Sequence, residues 1–149
     1  MRTYKFRAWD KELKKMCNLI NLDWFVNSAS GESPSWIKVE RNINDENGKY
    51  CRTDEKEGTQ EVFELMQFTG LKDKQGKEIY EGDIVHDEVF DEICEIGFGQ
   101  CSCGMGDEYG AWGFYLKRKK YNSLLDDSAY IEIIGNIFEN LALVKKSTP

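Results

Sequence analysis

Two runs in the carboxyl-terminal half of the chain share one pattern of apolar spacing. In "DEICEIGFGQ" (91–100), Cys94, Ile96 and Phe98 occupy every second position, and Trp112, Phe114 and Leu116 repeat that spacing after the glycine-rich "CSCGMGDEYG" (101–110). A period of two places alternate side chains on one face of an extended strand, so these runs are expected to form an antiparallel pair. Tyr4, Phe6 and Ala8 alternate with Lys5 and Arg7, and Asp10-Lys11-Glu12 then turns the chain into a second run through Met16, Leu19 and Leu22 to Val26. The small polar stretch "NSASGESPS" (27–35) reads as a loop.

"SWIKVERNINDENGKYCRT" (35–53) offers a hairpin turning at Asn47-Gly48, with modest apolar content, and "TDEKEGTQ" (53–60) reads as an exposed charged segment that sets a soft boundary. Further strands are expected at Val62–Phe68, Lys77–Tyr80, Ile84–Val85 and in "AYIEIIGNIF" (129–138), the tail adding one helical turn. No period of 3.6 is sustained for three turns, which disfavours a helical or doubly wound fold. The expected fold is mainly β, a small barrel or sandwich with little helix.

Composition narrows the function classes. The 149 residues suit one domain with an appendage, and 32% charged residues around a 40% hydrophobic content describe a globular protein with a polar skin. The net charge of -7 repels phosphate backbones, so nucleic-acid binding needs a concentrated basic patch. Neither a signal peptide nor an apolar run of membrane-spanning length is evident, so a cytoplasmic protein is expected, and its five cysteines are expected as free thiols.

Three blocks carry a family resemblance: "KFRAWDKELKKM" (5–16), "LMQFTGLKDKQGKEIYEGDIV" (65–85) and "IIGNIFEN" (133–140). With them the chain resembles the YopX-like proteins of bacteriophages and prophages of Gram-positive bacteria. The resemblance implies a largely β protein without an established biochemical activity, whose carboxyl-terminal part is an SH3-like barrel. On that reading residues 1–58 are an amino-terminal β extension and residues 59–149 the barrel with its tail, together one structural unit in the host cytoplasm. The tail "ENLAL" departs from the family pattern, where a proline commonly follows the asparagine, and "CSCGMGDEYG" has no counterpart in that pattern.

Candidate chemistry is sparse. Cys94, Cys101 and Cys103, with His86 or Cys51 as a fourth ligand, have the donor types for tetrahedral zinc, but C-x6-C-x-C is not a standard finger or ribbon spacing, and packing plus an exposed thiol pair is the favoured reading. "VHDEVFDE" (85–92) gathers Asp87, Glu88, Asp91 and Glu92 around the only histidine; a solvated acidic edge outweighs a cation or acid–base site. Lys117, Arg118, Lys119, Lys120 and Tyr121 form the one concentrated basic stretch, a speculative interaction surface for nucleic acid or, more plainly, a charged strand end. The glycine block lacks either phosphate-binding pattern and reads as framework. The sequence therefore points to a non-enzymatic binding or self-assembling protein without cofactor, forming a homo-oligomer or contacting a phage or host protein.

Overall fold

The computed structural model describes residues 4–23, 36–44, 47, 49–101 and 110–146. Residues 6–66 form one compact unit; residues 67–146, with Tyr4 and Lys5, form the other. Among the described residues the chain is mainly antiparallel β structure with one short helix, as the period-two pattern implies.

The 6–66 unit contains β1 (Phe6–Asp10), β2 (Lys15–Asp23), β3 (Trp36–Asn44), β4 (Tyr50–Gly58) and the first residues of β5 (Phe63–Lys72), in the spatial order β4-β3-β2-β1-β5. Ala8, Cys17, Ile37, Val39 and Phe63 are its buried core. Asp10 builds the β1–β2 turn: its Oδ1 accepts the backbone N–H groups of Glu12 (2.8 Å) and Leu13 (2.9 Å). Residues 53–58, expected as an exposed charged segment, do expose Thr53, Glu55 and Glu57 but are also the body of β4, paired with β3 from Ile37↔Gly58 to Asn42↔Thr53. Charge pairing explains the difference. Arg41 lies opposite Asp54 and binds both its carboxylate oxygens at 2.9 Å, while Lys38 meets Glu55 at 2.5 Å on the other face. A strand stabilised by cross-strand ion pairs carries little hydrophobic periodicity to read. Residues 24–35 and the tip at Gly48 lie outside the described residues.

In the 67–146 unit, the second half of β5 pairs with β6 (Glu78–Tyr80). The remaining strands, β7 (Asp83–Asp87), β8 (Glu92–Cys101), β9 (Ala111–Lys117), β10 (Ser123–Leu124) and β11 (Ile131–Asn136), form a sheet ordered β10-β9-β8-β7-β11. The expected pair of apolar runs is the β8–β9 ladder, in continuous register from Glu95↔Lys117 to Cys101↔Ala111. Ile79, Val85, Cys94, Ile96, Leu116 and Ile131 are the core. The sheet is open, with β10 and β11 at its edges, so these pairings do not close the SH3-like barrel implied by the resemblance. Helix α1 (Leu141–Lys146) ends the description.

The two carboxyl-terminal family blocks prove to be one structural joint. Gly70, Gly76 and Gly82 have φ of 89°, 85° and 76°, a region that side chains disfavour. Asp73 is nearly fully buried; its Oδ1 accepts the N–H groups of Gln75 and Lys77, both at 2.9 Å, and its Oδ2 that of Ile133 at 3.2 Å. The Gly82 N–H donates to the Ile96 carbonyl, and its own carbonyl accepts from Ile137. Asn136 Oδ1 in turn accepts the N–H groups of Phe138 and Glu139, both at 3.0 Å. Residues 65–85 thus form a turn framework tied to 133–140 by hydrogen bonds, in which the buried Asp73 and Asn136 side chains are satisfied.

Candidate functional site

The alternation of β8 and β9 directs Cys94, Ile96 and Phe98 to one face together with Leu116, Phe114 and Trp112, which lie opposite Ile96, Phe98 and Gln100. That face is covered at one end only. Cys94 and Ile96 are fully buried and Leu116 nearly so, whereas Phe98 is 49% and Trp112 73% exposed. The hairpin therefore carries its core-facing stripe beyond the core. Phe98 and Phe114 pack with ring centroids 4.9 Å apart, holding the uncovered end rigid. On the opposite strand face the Tyr115 ring lies across Gly97: a Cβ there would sit 2.7 Å from the ring.

A groove of about 850 Å³ runs beside this stripe, with Phe98, Trp112 and Phe114 on one wall and Phe68 and Gly70 on the other. Tyr4 reaches it because the Phe68 N–H donates to the Lys5 carbonyl (2.7 Å), while Lys5 Nζ meets Glu78 at 2.5 Å. Phe68 packs on Tyr80, centroids 5.5 Å apart. The Thr69 hydroxyl is committed to the Ile79 carbonyl at 2.9 Å. Asp126 is the one charged residue among the described residues that line the groove. Aromatic area with few charges among the described residues is the composition of a contact surface.

The chemical candidates separate in space. Cys94 and Cys101 lie on one continuously paired strand, seven residues apart, or roughly 23 Å at the usual rise, so they cannot share a zinc ion whose sulfur ligands stand about 2.3 Å from the metal. Burial pushes the Cys94 thiol up to about 11, which disfavours the thiolate that a metal requires. Cys103 lies outside the described residues, and among those described no group of three ligand-type side chains could hold a metal.

The acidic run is dispersed as well. Asp87 pairs with Arg118 at 2.5 Å, Glu92 approaches Arg118 at 3.4 Å, Glu88 pairs with Lys74, and His86 Nε2 meets Asp91 Oδ1 at 2.9 Å. The basic stretch is correspondingly spent in part. Lys117 is paired with Glu95, and the Arg118 side chain is 9% exposed, its Nε donating to Ser123 Oγ at 2.8 Å and its guanidinium lying 4.4 Å from the centre of the Phe90 ring. Lys119, Lys120 and Tyr121 remain exposed at the corner after β9. Sequence reasoning found the β8–β9 stripe but not that one end lies uncovered; nor did it find Tyr4 and Phe68 beside it, which are remote in the chain.

No helix among the described residues is long and apolar enough to cross a membrane. Among curated proteins no match to the chain was found. The crystal structure of protein EF1440 from Enterococcus faecalis is similar over 97% of this chain and 99% of that one, with 26% sequence identity and a TM-score of 0.57. The family model described as YopX protein matches residues 5–145, a span that takes in all three sequence blocks and both compact units, and the chain accordingly belongs to the YopX family.

Proposed function

We propose that the chain is a non-enzymatic accessory protein of phage or prophage origin, acting in the bacterial cytoplasm by self-association through the uncovered end of the β8–β9 face. One observation carries this reading: the stripe that forms the core at Ile96 and Leu116 continues to exposed Phe98 and, opposite Gln100, exposed Trp112. Leaving large aromatic surface in water costs about 25 cal/mol per Å², and contiguous patches of this kind mark interaction sites. A second copy is the simplest occupant, because a two-fold contact lets each Trp112 enter the other copy's groove with one set of residues. The non-enzymatic reading is supported by the groove's lining, in which, among the described residues, aromatic side chains stand with a single carboxylate.

Nucleic acid is the weaker reading. Two of the five basic-stretch residues are neutralised by Glu95, Asp87 and Glu92, and the overall charge is -7. Sedimentation velocity over a wide concentration range tests the assembly. The wild type should associate reversibly, and Trp112→Arg should remain monomeric with an unchanged circular dichroism spectrum. A wild type that is monomeric throughout, or association untouched by the substitution, would sink the proposal.

A further inference from the structure

A second concavity, of about 570 Å³, opens beside β10 in the 67–146 unit. Three aromatic residues that line it, Phe90, Tyr121 and Tyr130, are each more than half exposed. Three carboxylates, Asp87, Asp126 and Asp127, line it against one guanidinium, that of Arg118. The positive charge of Arg118 is already answered by Asp87 and Glu92 and is shielded by the Phe90 ring, so it does not set the sign of the pocket. Asp126 and Asp127 are exposed and have no cationic partner among the described residues.

The walls are preformed. Asp127 Oδ1 accepts the Ala129 N–H at 2.9 Å, the Ser128 hydroxyl donates to the Lys72 carbonyl at 2.5 Å, and the Tyr130 carbonyl accepts the Glu88 N–H at 3.0 Å. With the Phe90 ring taken by Arg118, the exposed Tyr121 and Tyr130 rings beside unneutralised carboxylates supply the chemistry that recognises a cation: the rings attract it through their quadrupoles and the carboxylates through charge.

We infer that this pocket receives a lysine or arginine side chain of a partner polypeptide. Charge complementarity selects a cation. The openness of the site beside edge strand β10, whose Leu124 and the following Asp126 also border the aromatic groove, selects a side chain carried by a chain lying across that ridge. The inference stands apart from self-association, since it concerns different aromatic residues and is tested without assembly.

The test is an amide and aromatic NMR titration of the full chain at low ionic strength. The probes are N-acetyl-arginine methylamide, N-acetyl-lysine methylamide and, as a neutral match, N-acetyl-norleucine methylamide. Both cationic probes should shift Ser123, Leu124, Ala129 and Tyr130 with millimolar affinity, and norleucine should not. Tyr130→Leu should weaken the cationic probes about two- to five-fold, and Asp126→Asn with Asp127→Asn by a similar factor that shrinks as salt is added. Spectra of the variants away from the pocket confirm that they fold. Binding of norleucine as strong as that of the cations, no shifts with any probe, or cationic binding indifferent to these substitutions would each overturn the inference.

Discussion

Replacing Asp73 by alanine should destabilise the 67–146 unit by about 3–4 kcal/mol, because three N–H donors lose one acceptor at once. Two of them, Gln75 and Lys77, lie 2.9 Å from Oδ1 within the turn; the third, Ile133, lies 3.2 Å from Oδ2 on β11. A neutral hydrogen bond contributes about 1 kcal/mol net, one to a charged acceptor about 1.5–3, and partial rehydration of the turn returns some of the loss. Asp73→Asn is the finer probe. Its carbonyl oxygen keeps the two turn bonds, but its amide presents donors to the Ile133 N–H, so about 1–2 kcal/mol should be lost.

The two substitutions also differ from the wild type in acid. Burial acts to raise the Asp73 carboxyl, but the N–H groups of Lys77, Ile133 and Gln75 outweigh it and hold the group below its ordinary value. A carboxyl depressed in the folded state contributes stability that is complete above its unfolded value, about 3.9, and is lost as the pH falls through the folded value. Urea unfolding followed by far-ultraviolet circular dichroism, at neutral pH and at pH values below about 4, measures both effects. Wild-type stability should fall more steeply in acid than that of Asp73→Asn. An alanine variant within about 0.5 kcal/mol of wild type, or identical acid slopes for wild type and Asp73→Asn, would refute the hydrogen-bond account.

Gly97→Ala should cost about 1–3 kcal/mol, because its Cβ meets the Tyr115 ring at 2.7–2.9 Å; in a Tyr115→Ala background the cost should shrink, as chemical denaturation of the double-mutant cycle will show. Arg41→Ala should cost about 3 kcal/mol in the 6–66 unit by leaving fully buried Asp10 without its cation, read in the same unfolding assay, with Asp10→Asn in the same chain recovering part of the loss. Cys94→Ala should leave zinc content by metal analysis unchanged while lowering stability by about 1 kcal/mol, the effect of a small buried side chain removed from a packed core.

How far the residues themselves announce this molecule depends on which force forms each part. The β8–β9 ladder was legible because hydrophobic burial forms it, and burial leaves a period of two in Cys94, Ile96 and Phe98. The turns at Gly70, Gly76 and Gly82 were legible because positive φ selects one residue type. Strand β4 was not, because Arg41–Asp54 and Lys38–Glu55 pairing leaves a string of charges that reads as solvent-exposed. The cysteines mislead in the opposite sense: neighbours in sequence, Cys94 and Cys101 are carried apart by the extended strand between them.

The site was half legible. Alternation reveals that a strand has an apolar face, but whether that face is covered depends on where neighbouring strands end, which is a property of the fold. The pairing of Arg118 with Asp87 and Glu92 was likewise hidden, because the end of β7, the start of β8 and the residue after β9 bring together charges that the chain separates by many residues.

The proposed self-association requires that two copies meet at the uncovered end of the β8–β9 face. Hydrogen–deuterium exchange of the wild type at low and high protein concentration tests it most directly, by locating the surface that association protects. Amides in Phe98–Cys101 and Ala111–Phe114 should exchange more slowly at high concentration, while those of β3 and β4 exchange unchanged. Rates independent of concentration in the β8–β9 segments, or protection confined to β3 and β4, would contradict it.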